Sequence, residues 1–364
     1  MKDMLEIIKH FHVEGEVVDI TPMNSGHINT TSRVSVDNSG KIEKYTVQAI
    51  NTYVFKNPEG VMDNISKVTA HIRAKLEESG GDTKRGVLTV IRAKDSKYFY
   101  KDEEGTYWRI YRFIDDSHTQ NKVEDPKTLY NAGVGFGNFQ KQLADFPMDR
   151  LVETIPDFHN TPARYAQLME AVEKNAAGRV DSCLPEIQFF KDREKEMCIL
   201  TDLKAEGKMP LRVTHNDTKF NNILLDDATN EALSVIDLDT VMPGLVTDDF
   251  GDAIRFAANT ADEDETDLSK VEVSLELFEA FTKGFLETLD GSLTKTEIEH
   301  LAWGAKIITM EIGSRFLADY LNGDIYFKIH KEDHNLDRAR CQIALAKSME
   351  DKFEKMQEIV RKYM

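Results

Sequence analysis

The stretch that decides the reading of this chain runs from residue 215 to residue 239, HNDTKFNNILLDDATNEALSVIDLD. It holds His215-x-Asp217-x-x-x-x-Asn222, an apolar strand-like run, a turn, a second apolar run Leu233 to Ile236, and then Asp237. Single Asp and Asn residues are common in loops because both favour turns. A polar pattern in this order, joined to a hairpin that ends in Asp, is a different matter. Phosphoryl transfer from ATP needs one carboxylate to position or deprotonate an acceptor hydroxyl, and oxygen ligands to hold Mg²⁺ on the β- and γ-phosphates. Asp217 suits the first task, and Asn222 with Asp237 the second. Mg²⁺ keeps several waters, so one amide oxygen and one carboxylate are about what it takes from a protein.

Outward from this segment, the first 113 residues alternate short apolar strands with turns. Gly15 to Ile20, His27 to Val36, Lys44 to Ile50, Tyr98 to Tyr100 and Trp108 to Ile114 read as strands, and Asp37-Asn38-Ser39-Gly40 as a hairpin turn. Pro58 to Ser79 has helical spacing (Val61, Ile65, Val68, Ile72, Leu76) and stops at Gly80-Gly81. From Pro126 onward the chain reads as mostly helical, with a helix start at Thr161-Pro162 and long amphipathic segments over 268–289 and 295–321. The expected fold is α+β, with a small, mainly antiparallel-sheet lobe over 1–113 and a larger helical lobe over 114–364 that carries the catalytic loop.

Composition narrows the function. The chain has 364 residues, 41% hydrophobic and 30% charged, with a net charge of −18. Nucleic acid as a partner is disfavoured, because a phosphate backbone calls for a basic face. Three widely spaced cysteines indicate a reducing compartment rather than a disulfide framework. With no signal-peptide core at the N-terminus and no run of apolar length for a span, a cytoplasmic monomer is expected, with small-molecule partners and no membrane.

Other segments bear on the nucleotide. Asn24 to Thr31 lies where a phosphate-binding hairpin loop belongs, although with one glycine rather than three. Its backbone near Gly26 and the hydroxyls of Ser25, Thr30 and Thr31 are candidates for phosphate contact; an ordinary turn is the alternative. Gln48 stands where a kinase strand places a Lys, which removes one fixed charge from the phosphate grip. Tyr111 to Ile114, with Tyr111 and Phe113 foremost, is the expected adenine contact. Asp249-Phe250-Gly251 is too far downstream to be the metal-binding Asp-Phe-Gly of kinases, so Asp249 is expected to cap a helix or support the catalytic loop. Asp262 to Glu265 reads as a solvated acidic turn. Glu311, Arg315 and Asp319 lie at i, i+4 and i+8, the spacing of a surface ion-pair row.

The catalytic segment resembles that of the aminoglycoside phosphotransferase and choline kinase superfamily, small-molecule relatives of the protein kinases. By that resemblance Asp217 is the catalytic base, His215 braces the loop, Lys219 is placed to put a charge on the γ-phosphate, and Asn222 and Asp237 are metal ligands. Four further blocks, Gly26 to Thr31, Val213 to Lys219, Asp249 to Phe256 and Met310 to Phe327, are similar to the N-acetylhexosamine 1-kinases of that superfamily. This resemblance implies a two-lobed kinase-like fold and ATP and Mg²⁺ as cofactors. It also implies phosphorylation of the anomeric hydroxyl of an N-acetylated hexosamine, and a sugar pocket drawing on His27, Asp217, Phe256, Arg315 and Tyr326. An aminoglycoside or choline-like acceptor, or a catalytically inactive nucleotide-binding protein, is the alternative.

Overall fold

The computed structural model describes residues 4–23, 28–123 and 125–364, so Ser25, Gly26 and His27 lie outside the described residues. The chain divides into two compact units. One comprises Met1–Thr119, Gln142–Pro156 and Ile223–Met242; the other comprises Gln120–Lys141, Asp157–Asn222 and Pro243–Met364.

The first unit begins with α1 (Met4–Lys9), β1 (Glu16–Met23), β2 (Thr30–Asn38) and β3 (Lys41–Ile50). There follow α2 (Pro58–Ser79), β4 (Val90–Ile91), β5 (Tyr100–Lys101), β6 (Tyr107–Arg112) and β7 (Ser117–His118). An antiparallel sheet runs in the order β1-β2-β3-β6-β4, with β5 also on β6. The turn between β2 and β3 is tight because Ser39 and Gly40 both take positive φ, 57° and 88°. That is the left-handed pair a two-residue hairpin needs, and it sits where the sequence puts a turn. Alternation along the strands then sorts the two faces. Val34, Val36, Tyr45, Val47 and Ile110 bury themselves against Ile7, Ile8 and Phe11 at the N-terminus. Gln48 and Arg109, paired in register, occupy the opposite face.

Helix α2 has the limits its sequence signals. Asn57 accepts the Gly60 amide at 3.0 Å as N-cap, Pro58 opens the first turn, and Gly80 closes it in the left-handed conformation at φ 69°. Asn64 turns inward and donates to the carbonyls of Val152 (2.7 Å) and Val241 (2.9 Å), tying α2 to two later segments of its own unit.

The second unit contains α3 (Pro126–Gln142), α4 (Thr161–Lys174), α5 (Leu184–Asp192), α6 (Glu194–Met197), α7 (Ile199–Ala205) and β8 (Arg212–Thr214). The hairpin β9 (Ile223–Asp226) and β10 (Ala232–Val235) belongs to the first unit, where β9 also pairs with β7. The short β11 (Met242–Gly244) leads back into the helices α8 (Val246–Ala257), α9 (Leu275–Leu289), α10 (Lys295–Glu299), α11 (Leu301–Asn322), α12 (His334–Asp351) and α13 (Phe353–Lys362). Helix α11 runs through the core, with Ile307, Met310 and Leu317 packed among Leu168, Phe190 and Leu336. Helix α8 crosses it at glycine: a Cβ on Gly251 would collide with the Gly304 backbone, and one on Gly304 with Thr247. Only two residues without side chains permit that approach.

Two helical expectations are trimmed. The segment 268–289 opens with a 3-10 turn at Leu268–Lys270 and is α-helical only from Leu275, where Ser274 caps it through the Leu277 amide at 3.3 Å. The segment 295–321 is two helices. Thr294 and Glu297 form a capping box that starts α10, and His300, at φ −107°, interrupts the run before α11. Among the described residues no helix is long and apolar enough to cross a membrane.

Candidate active site

The loop over 215–222 follows β8 and is held by residues of its own unit. Asp249, in the first turn of α8, accepts the backbone N–H groups of His215 (2.9 Å) and Asn216 (2.7 Å), and Gln140 donates to it at 2.8 Å. The Thr218 hydroxyl donates to the Asp249 carbonyl. Asp249 therefore supports the loop and does not cap the helix, whose N-cap position belongs to Leu245. Asn216 takes φ 64°, a conformation Asn tolerates better than most residues. This bend leaves the Asp217 N–H pointing at His215 Nδ1, 3.2 Å away. The His215 ring is fully buried, edge-on to Phe136 and Phe139. Gly244 lies so close to Thr214 and Asn216 that a side chain there would displace them.

Both carboxylate oxygens of Asp217 have partners. Lys219 Nζ sits 3.0 Å from Oδ1, and Asn222 Nδ2 donates to Oδ2 at 3.2 Å and to the Asp217 carbonyl at 2.8 Å. Burial would push the Asp217 carboxyl up, but the Lys219 ammonium, with His215 and Arg255, outweighs it and holds the group below the usual carboxylate range. The Asp217 carboxylate in turn raises Lys219. Because Asn222 spends its amide nitrogen on Asp217, its carbonyl oxygen is left for another purpose, and oxygen is the atom a hard cation takes.

A cation missed in the sequence stands behind this pair. Arg255 of α8 is 3% exposed, with its guanidinium on Asp252 at 2.8 Å and on Glu263 at 2.7 Å. Glu263 is thus ion-paired with Arg255, and Asp264 is hydrogen-bonded to His334 at 2.9 Å, which corrects the expectation of a merely solvated acidic turn. Phe256 is half-buried and lines a small recess with Arg255, Asn121 and Gln342.

The Glu311, Arg315, Asp319 spacing is not a surface row. Glu311 is wholly buried and takes His159 Nδ1 at 2.9 Å and the Thr161 hydroxyl at 2.6 Å. Asp319 accepts the N–H groups of Ile325 (3.0 Å), Tyr326 (2.8 Å) and Phe327 (2.9 Å), shaping the loop after α11. Arg315 lies between them against rings, 5.7 Å from Phe158, 6.0 Å from Tyr326 and 5.6 Å from Phe327. Arg315 and Tyr326 are therefore brought together, whereas Phe256 faces a different recess.

The first unit holds the nucleotide candidates. Thr31 and Gln48 pair across β2 and β3, and Gln48 donates to the Thr31 hydroxyl at 3.0 Å. Thr30, next to it, is exposed. Gln48 also accepts from Arg109, a second cation that the sequence reading passed over. Tyr111 is buried on the same face as Arg109, and burial raises its hydroxyl above the ordinary tyrosine value. Phe113 follows β6 and ties its N–H to the Lys44 carbonyl at 2.9 Å. The β9–β10 ladder ends at Ile223↔Val235, away from its turn, and the chain continues through Asp237, which takes φ 58°. Among the described residues no group of three His, Cys, Asp or Glu side chains is set to hold a metal.

Comparison with known proteins bears on the family and the fold. Residues 19–276 match the family model of the phosphotransferase enzyme family. Solved structures agree in fold at low identity. An aminoglycoside phosphotransferase of Alicyclobacillus acidocaldarius has a TM-score of 0.57 at 10% identity, over 98% of this chain and 96% of its own. A choline kinase of Cryptosporidium parvum has a TM-score of 0.55 at 15% identity, over 98% and 96%. An ADP-bound aminoglycoside phosphotransferase, APH(2'')-Ib, has a TM-score of 0.50 at 14% identity, over 92% and 95%. The fold is thus mixed α+β and protein-kinase-like, and the chain belongs to the phosphotransferase enzyme family.

Proposed function

We propose that the protein transfers the γ-phosphoryl group of ATP to the anomeric C1 hydroxyl of an N-acetylated hexosamine, giving the sugar 1-phosphate. In this reading Asp217 orients the hydroxyl and accepts its proton, and Lys219 leaves the Asp217 carboxylate for the γ-phosphate. Asn222, the residue before β9, and Asp237, just after β10, would hold Mg²⁺, whose charge stabilises the transferring phosphoryl group when bound. The spare carbonyl oxygen of Asn222 fits that role. Thr30, Thr31 and Gln48, with Ser25 and Gly26, would border the phosphates, and Tyr111 to Ile114 the adenine. The division into an N-lobe over 1–113 and a C-lobe beyond it goes with this reading.

The observation that carries the choice of acceptor is Arg315, set among Phe158, Tyr326 and Phe327. Rings supply flat apolar faces for a sugar, and a guanidinium supplies donors for its oxygens. A cationic amino alcohol needs the opposite, an aromatic cage without a cation inside it. The test is a panel of N-acetylhexosamines, aminoglycosides and choline-like alcohols with Mg²⁺–ATP, with product regiochemistry read by phosphorus NMR. Turnover of choline or an aminoglycoside with none of the sugars would defeat the assignment.

A further inference from the structure

Gln48 removes the lysine that a kinase strand would aim at the nucleotide phosphates, yet the neighbouring strand puts a buried cation directly against it. Arg109 is opposite Gln48 in register, and its Nε donates to Gln48 Oε1 at 2.9 Å. Its two terminal nitrogens take both oxygens of Asp239, with Nη2 3.0 Å from Oδ2. Arg109 and Asp239 are 1% and 3% exposed. Asp239 also accepts from Asn29 Nδ2 at 2.7 Å, and Asn29 Oδ1 accepts the Asn51 N–H at 3.0 Å. On the other side Gln48 passes its amide to Thr31.

This is more than a pair that fills a core. Isolated buried ion pairs contribute little net stability, because desolvation cancels most of their attraction. Here the guanidinium links two strands of the sheet to a turn. The turn contains Asp237 at φ 58°, in the left-handed region, which Asp enters more readily than most residues but still at a cost that its surroundings offset. The bidentate grip on Asp239, two residues on, is one constraint on that turn. Asn29, just before β2, ties the same carboxylate to the start of that strand.

We propose that Arg109 is a positioning residue for the nucleotide–metal half of the site. By clamping Asp239 it fixes the turn that presents Asp237, and through Gln48, Thr31 and Asn29 it ties this turn to the edge of the sheet that borders the phosphates. A strand-to-turn ion pair thus takes over the organising task of the absent strand lysine. The inference rests on the reading of Asp237 as a ligand for Mg²⁺.

The test is binding, separate from turnover. Affinity for ADP is measured by calorimetry with Mg²⁺ and with chelator, for the parent, Arg109→Met and Asp239→Asn, with thermal melts to verify folding. Groups that orient a metal ligand typically change metal affinity 10- to 100-fold. Each folded variant should therefore lose about tenfold or more in affinity for Mg²⁺–ADP, while metal-free ADP binding changes far less. Should Arg109→Met not fold, Asn29→Ala, at the solvent side of the network, reads the same quantity and should show a smaller loss of the same sign. Parent-like Mg²⁺–ADP affinity in the folded variants overturns the role of Arg109 and leaves the phosphotransferase reading standing. A parent that binds ADP equally with and without Mg²⁺ sinks both.

Discussion

His159 and Glu311 form a buried ion pair, Nδ1 to Oε1 at 2.9 Å, and the other ring nitrogen of His159 reaches the carbonyl of Asn216 at 3.0 Å. Both contacts are with acceptors, so both ring nitrogens must donate and the ring is an imidazolium. Burial alone would discharge it, but the Glu311 carboxylate outweighs burial and raises its pKa to about 9. A group raised on folding gives stability that is complete below its unfolded value, near 6.5, and fades as pH climbs through the folded one. Stability should therefore fall between about pH 6.5 and 9. His159→Gln should flatten that limb of a Tm-against-pH curve. Because His159 grips the residue before Asp217, the variant should also lower kcat more than it changes the KM for ATP. An unchanged alkaline limb in a folded variant would show that His159 is neutral.

Asp248 adds a second pH dependence. Desolvation raises its carboxyl to about 7, with Glu311 and Asp249 adding to the rise and His159 opposing it. The folded state holds this proton where the unfolded chain has lost it, so stability falls from about pH 4 towards 7. Above that window the protein carries a buried charge at a cost. Asp248→Asn should accordingly raise Tm at pH 8 and change it little at pH 4; a lower Tm at pH 8 would mean that the Asp248 carboxylate has a partner worth more than its desolvation.

Asp217→Asn tests the base. The variant keeps the shape of the loop and, with it, the backbone bonds to Asp249. Turnover should drop by about 10²-fold or more, the scale of losing a positioned base, with nucleotide binding nearly unchanged. Full turnover would remove Asp217 from the chemistry.

Asp249→Asn separates the two acidic motifs. Asp249 is buried, and it accepts from two loop amides and from Gln140. Replacing one carboxylate oxygen by an amide nitrogen sets a donor against a donor. Leaving a buried group unsatisfied costs roughly 1–3 kcal/mol. Thermal stability should fall on that scale while the Mg²⁺ requirement stays that of the parent. A large change in metal affinity at parent stability would relocate the metal site to Asp249.

These residues also mark what the sequence could and could not say. The segment proposed as catalytic stood out because its pattern is local: His215, Asp217 and Asn222 lie within one short stretch. Helix α2 was readable because Asn57, Pro58 and Gly80 punctuate it. Arg109 was not, because only the register of β3 on β6 brings it to Gln48. His159 was invisible for the same reason, being 152 residues from Glu311. The spacing of Glu311, Arg315 and Asp319 does follow helical geometry, but it does not say whether that face meets water or core. Burial of Glu311 decided it.

In the proposed function, Arg315 is the residue on which acceptor choice turns. Its neighbours on α11 are committed elsewhere, Glu311 to His159 and Asp319 to the backbone of 325–327. Its own surroundings are the rings of Phe158, Tyr326 and Phe327. A site built to hydrogen-bond a substrate oxygen discriminates strongly, because its donors go unpaired when that oxygen is missing. Arg315→Ala should lower kcat/KM for the N-acetylhexosamine at least tenfold, about 1.4 kcal/mol. The KM for ATP should change little. Deleting the acetamido or a ring hydroxyl from the substrate should then cost the parent more than it costs the variant, since the interaction is already gone in the variant. Lost ATP binding with sugar binding kept would return Arg315 to a structural role among its aromatic neighbours and would leave the acceptor pocket to be sought around Phe256.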